Sequence, residues 1–122
     1  TVPEKSCISE RRSDRVKILA LEPHRKPQIV EIDGSLKSMQ ETVKGSIEAI
    51  FPFDDSVALI CNEEGKFDGS KACLMMADEA GAVKDIIFGT VFICGLGEED
   101  FVSIPDDLIE KYTHFLNTWR YA

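Results

Sequence analysis

The stretch Ile86-Ile87-Phe88-Gly89-Thr90-Val91-Phe92-Ile93-Cys94-Gly95-Leu96 is the longest apolar run of the chain. It falls well short of the roughly 20 apolar residues that a membrane-spanning helix requires. Its β-branched and aromatic residues occupy odd and even positions alike, a pattern typical of a strand buried on both faces. We therefore expect a central strand over residues 85–94, around which the remaining elements assemble.

Turn and capping signals delimit the elements that precede this run. Two prolines in residues 22–27 interrupt strand pairing and indicate a hairpin turn. Ser35 is a favourable helix N-cap, and Gly45 is a favourable stop. In chain order, the predictions are strands at 16–21 and 29–32, a helix after Ser35, and strands at 47–53 and 57–61.

The segment between residues 69 and 83 carries the weakest pattern, and we interpret residues 72–76 as a single helical turn. A final helix is predicted after Pro105, where Ser103 and Asp106 have the spacing of a capping box. One apolar stripe along that helix is expected to cover the sheet. The stripe consists of Leu108, Ile109, Tyr112, Phe115, Leu116 and Trp119.

These elements predict one small α+β domain at residues 16–122, in the order β-β-α-β-β-β-α. Two helices are too few for a parallel sheet covered on both faces. We expect an antiparallel or mixed sheet of about five strands, covered by two helices on one side. Residues 1–15 show no sustained period and are interpreted as a flexible or loosely docked extension.

The chain carries a net charge of −8, and this charge is unevenly distributed. Residues 1–47 hold nine Lys/Arg and seven Asp/Glu, whereas residues 48–110 hold three and fifteen, a balance of −12. Such a charge disfavours direct binding of nucleic acid. It is compatible with a partner protein that presents a basic surface, although acidic surfaces also serve solubility alone.

The four cysteines, Cys7, Cys61, Cys73 and Cys94, form no paired motif with ligand spacing. The simplest interpretation is that they are reduced, buried thiols of a cytoplasmic protein. The polar N-terminal residues lack the apolar core of a secretion signal, which also points away from export and from a membrane.

Several blocks of the chain resemble the bacterial and phage domain of unknown function 3846. The blocks are Lys17-Ile18-Leu19, Glu22-Pro23, Lys26-Pro27, Glu31-Ile32-Asp33-Gly34-Ser35-Leu36, Ile47-Glu48-Ala49, Pro52-Phe53, the run from Val57 to Lys66, Asp85-Ile86-Ile87, Gly89-Thr90, the run from Gly95 to Phe101, and Ile109-Glu110-Lys111-Tyr112. Together they cover about residues 16–116 in the family's order. The resemblance implies an accessory protein of phages and conjugative elements with no assigned reaction.

One departure from the family pattern concerns the segment after Gly69. Members of the family often carry an Asn-Arg pair there, whereas this chain has Cys73-Leu74. If that pair binds an anionic ligand in other members, the resemblance implies that this chain has lost or changed the property.

Two groups of residues are candidate ligand sites. Asn62, Glu63 and Lys66 follow a buried strand, where carboxylates and an amide could orient a ligand, although Asn and Gly are also ordinary turn residues. Gly89 and Thr90 interrupt the strongest strand, and a strand glycine marks either a bulge or a close approach by a ligand. Any small-molecule pocket, for a nucleotide-like ligand for instance, is expected beside Gly89.

Glu98, Glu99 and Asp100 follow a Gly-Leu-Gly segment but fail the requirements of a phosphate loop, because three carboxylates repel phosphate. We interpret them as a surface loop that is either merely solvated or available to the Arg and Lys side chains of a partner. No catalytic, metal or cofactor constellation is apparent, since His24 and His114 are isolated and Asp54-Asp55 point to different sides. Trp119 and Tyr121 are candidate core anchors or homodimer contacts.

The leading hypothesis is a non-enzymatic binding protein of a bacterial mobile element or its host, whose acidic surface engages a protein partner. An anti-defence role, including imitation of nucleic-acid charge, extends it. The alternatives are a small-ligand binder with a pocket near Gly89-Thr90, and an enzyme of unknown class.

Overall fold

A computed structural model of the chain describes residues 15–65, 69–77, 80, 82–98 and 100–120, with the backbone alone at residues 77, 83 and 84. The predicted N-terminal extension lies outside these residues except for Arg15. In chain order, the elements are β1 Val16–Leu21, β2 Gln28–Ile32, α1 Leu36–Val43, β3 Ile47–Ile50, β4 Val57–Asn62, β5 Ala72–Ala77, β6 Val83–Phe88, β7 Val91–Leu96, β8 Phe101–Val102 and α2 Asp106–Trp119.

The main sheet is antiparallel, in the order β2-β1-β7-β4-β3, and β8 pairs with the end of β7. Strand β7 lies in its centre, where Ile93 pairs with Leu19 of β1 on one side and Leu59 of β4 on the other. All three side chains are at most 1% exposed. This arrangement confirms the predicted α+β class with an antiparallel sheet and two helices.

The single strand expected over residues 85–94 is wrong, because the chain breaks at Gly89 and Thr90. Strand β6 ends before this pair and forms a separate two-stranded sheet with β5, whereas β7 begins after it. Gly89 has φ +87°, a conformation that L side chains adopt only with strain. Its N–H donates to the carbonyl of Lys71 at 2.9 Å, which fixes the turn between the two sheets.

The helical turn expected at residues 72–76 is also wrong, since this segment is β5. Leu74 of β5 pairs with Ile87 of β6 and is fully buried. Cross-strand pairing and burial of this kind override local preference. The departure Cys73-Leu74 thus lies in the core, with the Cys73 thiol donating to the Leu21 carbonyl at 3.3 Å.

The two helices lie on opposite faces of the main sheet, which corrects the expected one-sided arrangement. Because the strands β1, β4 and β7 are apolar at odd and even positions alike, each face requires a cover. The odd-numbered side chains contact α2 together with β5 and β6 in one cluster, and the even-numbered ones contact α1 in another. The even face is formed by Ile18, Ala20, Ala58, Ile60, Phe92 and Cys94.

Helix α1 begins as predicted, with Ser35 as its N-cap: the Ser38 N–H donates to the Ser35 hydroxyl at 3.1 Å. Its end differs from the prediction, because Lys44, not Gly45, adopts the left-handed conformation, with φ +65°. The side-chain amide of Asn62 donates to the carbonyls of Val43 and Lys44 at 3.3 and 3.4 Å. A side chain of β4 thereby caps the helix.

Helix α2 buries its predicted stripe, but the capping-box start is wrong. The Ser103 hydroxyl accepts from the N–H of Lys17 at 2.8 Å, and Pro105 stands at the cap without a side-chain bond. Asp55 ties the helix to the β3–β4 connection, since its carboxylate accepts from the Tyr112 hydroxyl and from Lys111, both at 2.6 Å. Neither helix of the described residues is long and apolar enough to cross a membrane.

The left-handed conformation of Lys44 predicts that Lys44→Gly stabilises the protein. Glycine adopts positive φ without the steric cost that a Cβ carries, and it is the preferred residue at this position of a helix C-terminus. We expect the free energy of unfolding to increase by about 1 kcal/mol, measured by urea denaturation. Lys37→Gly, in the regular part of α1, should destabilise the protein by about 1 kcal/mol. A stability loss on Lys44→Gly would contradict the prediction.

The turn before α1 predicts an acid-dependent loss of stability. Interactions with the hydroxyl and the backbone N–H of Ser35 lower the pKa of Asp33 to about 2. Because this pKa lies below the unfolded value of about 3.9, Asp33 contributes stability above about pH 4 that is lost as the pH falls toward about 2. We expect Asp33→Asn to flatten the unfolding free energy over that range. The matched variant Glu41→Gln should retain the parent slope, and parallel profiles for all three proteins would refute the assignment.

Candidate functional site

Three regions contain the candidate site residues of the chain: the turn after β4, the β6–β7 connection, and the β7–β8 turn. The first and second meet at Asn62, because a Cβ added to Gly89 would lie 3.9 Å from the Cβ of Asn62. The third lies at the opposite end of β7. The sequence-predicted residues therefore do not form a single site.

The turn after β4 is held by the Asn62 side chain together with backbone hydrogen bonds. Asn62 is 6% exposed, and besides capping α1 its side-chain oxygen accepts from the Glu64 N–H at 2.8 Å. Glu63 donates its N–H to the Ser46 carbonyl, while its exposed side chain lines a cavity of about 170 Å³ with Glu48. Lys66 lies outside the described residues. Asn62 thus positions the helix end, and Glu63 faces a separate, acidic cavity.

The three described cysteines are free, buried thiols. Burial raises the pKa of Cys61 to about 11 and those of Cys73 and Cys94 to about 12. Because the thiolate is the reactive form, these side chains are poor nucleophiles near neutral pH. They act as small apolar residues of the core, and Cys7 lies outside the described residues.

The β6–β7 connection borders a cavity of about 190 Å³, which lies where the sequence analysis expected a pocket. Thr90 lines it and also lines a neighbouring cavity of about 130 Å³. Thr90 is 7% exposed, and its hydroxyl makes no hydrogen bond with any residue that the structure describes. The larger cavity is lined by Glu22, Pro23, Arg25, Val43, Lys44, Ser70, Lys71, Gly89 and Thr90.

The β7–β8 turn and the start of α1 enclose an open groove of about 330 Å³. We call its apolar lining residues the floor and the exposed residues Glu98 and Asp100 the rim, whereas Glu99 lies outside the described residues. The Gly97 N–H donates to the Asp100 carbonyl at 2.8 Å, which shapes the turn. The apolar lining residues are Leu36, Met39, Ile47, Leu96 and Phe101.

The remaining candidate residues do not converge. His24, with φ +64°, lies exposed in the β1–β2 turn, and His114 is exposed on α2. Asp55 is engaged by Lys111 and Tyr112, interactions that lower its pKa. Within the ranges described, no cluster of three or more His, Cys, Asp and Glu side chains is arranged to hold a metal ion. Trp119 packs against the core cluster that α2 shares with the main sheet, while Tyr121 lies outside the described residues.

Two features of these sites escape sequence reasoning. No local pattern indicates that the start of α1 adjoins the β7–β8 turn, since the contact depends on how α1 crosses the sheet. The basic side chains Arg25, Lys44 and Lys71 come from three distant connections, and only the topology places them around one cavity.

Comparisons with known proteins identify one family. No curated protein and no solved structure matches the chain significantly. A family model described as a domain of unknown function, DUF3846, matches residues 16–117, which includes every described strand and most of α2. The match confirms the resemblance carried by the sequence blocks, and the chain belongs to the DUF3846 family.

Proposed function

We propose that this chain is a non-enzymatic binding protein of a bacterial mobile element or its host, which holds a basic segment of a partner protein in the α1/β7–β8 groove. One observation carries the proposal: the groove combines an apolar floor with an acidic rim. Among the described residues no Lys, Arg or His lines it. A partner segment with basic side chains around an apolar one has complementary chemistry.

The floor supplies apolar surface that a partner can bury. Leu36 is 58% exposed, so its side chain still faces water, while Met39 beneath it is 3% exposed and fixed in the core. Leu96 and Phe101 are half-buried on the opposite wall. Covering such surface contributes roughly 25 cal/mol for each Å² of apolar area removed from water.

The rim supplies negative charge. Glu98 and Asp100 are exposed on the β7–β8 turn, and Asp33, with a pKa of about 2, directly precedes the groove residue Gly34. The net charge of −8 adds a long-range field that favours encounter with a basic surface. The rim then selects the orientation of the bound segment.

The anti-defence extension follows from the same chemistry. Proteins that handle nucleic acid present basic surfaces to phosphate, and an acidic groove competes for such surfaces. The free, buried thiols are compatible with the reducing conditions of the cytoplasm, where we place this activity.

The groove predicts binding of a short fluorescein-labelled peptide in which arginines alternate with leucine and phenylalanine. We expect the double variant Glu98→Lys/Asp100→Lys to weaken binding about tenfold or more, measured by fluorescence anisotropy. The matched double variant Glu41→Lys/Glu110→Lys changes the net charge equally at exposed helix positions outside the groove and should change affinity less than about twofold. Leu36→Ser should also weaken binding, through lost apolar contact.

Two controls make this result specific to the groove. A peptide with serine in place of its apolar residues should bind weakly, and amide chemical shifts of the parent complex should change at residues 34–39 and 95–101. Affinity should fall several-fold as salt rises from about 0.1 M to about 1 M, because the Debye length shrinks from about 10 Å to about 3 Å. Equal losses in the groove and helix variants, or affinity independent of salt, would refute the proposal.

A further inference from the structure

The β6–β7 connection carries a feature that the proposed function does not use. We propose that the cavity beside Gly89 and Thr90 binds the phosphate group of a small molecule. Thr90 and the basic residues Arg25, Lys44 and Lys71 all line it. This site is independent of the groove and shares no lining residue with it.

Thr90 is the buried polar residue of this cavity. Its side chain is 7% exposed, and together with Asn62 it is one of two buried polar residues in the described part of the chain. The Asn62 amide has its hydrogen bonds to the end of α1, whereas the Thr90 hydroxyl has none to the described residues. Buried polar groups are normally hydrogen-bonded, so this hydroxyl indicates a partner that enters the cavity.

The residues that line the cavity carry a net positive charge. Arg25 from the β1–β2 turn, Lys44 from the end of α1 and Lys71 before β5 all line the cavity, and all three are exposed. None of them forms an ion pair with a residue in the described ranges. Glu22 is the one carboxylate of the lining, so three cations and one anion give +2. Concentrating positive charge in a chain of net charge −8 favours an anionic ligand.

Lys44 occupies its position at the end of α1 at a conformational cost. Lys44 occupies a left-handed position, with φ +65°, where glycine or asparagine is the favourable residue. Local strain of this kind persists at sites where it serves a function. Lys44 lines the cavity, whereas glycine would end the helix with less strain and without a positive charge.

The size of the cavity specifies what enters it. Its volume of about 190 Å³ is below the roughly 300 Å³ at which pockets enclose a drug-sized ligand. A phosphate or diphosphate group therefore enters, and the remainder of the molecule lies outside, toward the adjoining cavity that shares Glu22 and Thr90. A nucleic-acid strand fits poorly, because the residues outside the lining carry a net charge of −10.

The test uses inorganic pyrophosphate as the probe and the full chain at low ionic strength. We expect saturable binding with a Kd below about 1 mM, measured by calorimetry. Amide chemical shifts should change at Lys44, Lys71 and Thr90. Adenosine triphosphate should shift the same amide signals, because the cavity is expected to accept the phosphate group of a larger molecule. A single-stranded oligonucleotide that binds more tightly than either probe would overturn the proposal in favour of nucleic acid.

Substitutions in the lining distinguish an anion site from general attraction. Lys44→Gln and Thr90→Val should each weaken pyrophosphate binding by about fivefold or more, and Lys37→Gln, outside the cavity on α1, should change it less than twofold. Glu22→Gln removes the one repulsive carboxylate and should tighten binding several-fold. A misfolded protein cannot produce such a gain.

Lys44→Gly provides a second safeguard, because it should stabilise the fold and weaken pyrophosphate binding in the same protein. Absence of saturable pyrophosphate binding would overturn the proposal, and so would binding that Lys44→Gln, Thr90→Val and Glu22→Gln leave unchanged. The arginine-leucine peptide should bind the Lys44→Gln variant as it binds the parent. The proposal for the groove and the proposal for the anion site can therefore be refuted independently of each other.

Discussion

The burial of β7 on both faces is the constraint on which the rest of this structure depends. Residues 91–95 are all buried, and an antiparallel strand with no solvated face requires a layer on each side. Among the described elements, helix α1 covers one face, and α2 shares the other with the β5–β6 hairpin. Because the described residues form two helices, one for each face, the second sheet completes the layer that α2 begins. The break at Gly89 and Thr90 lets one apolar run supply strands to both sheets.

The elements that local chemistry determines were predictable from the sequence. Alternating or continuous apolar residues marked β1, β2 and β4, Ser35 marked the start of α1, and the stripe of α2 packs as expected. Elements defined by distant partners were not. Strand β5 has no pattern of its own and forms because β6 pairs with it, and Ser103 leaves the helix cap because the N–H of Lys17 is within reach.

The candidate sites likewise combine features that the local sequence predicts with features that only the fold creates. A glycine inside the strongest strand was a local signal, and it led to Gly89 and Thr90, which line a cavity. The charge of that cavity was not foreseeable, because Arg25, Lys44 and Lys71 are separated by 19 and 27 residues and belong to different connections. The same holds for the groove. The sequence indicated an acidic turn at Glu98 and Asp100, but only the fold brings Leu36 and Met39 of α1 beside that turn.

Helix α1 connects the two sites and also separates their charges. The acidic groove adjoins its N-terminal turn at Leu36, and the basic cavity adjoins its C-terminal residue Val43 and the cap Lys44. This distribution complements the helix dipole, which is positive at the first end and negative at the second. Met39 and Val43 are 3% and 1% exposed and hold the helix against the sheet. One route by which a ligand at one end can influence the other is a displacement of α1, and well-packed cores resist such displacement. The same burial that creates both sites therefore favours their independence, because coupling through the helix would require α1 to pack differently on β4 and β7.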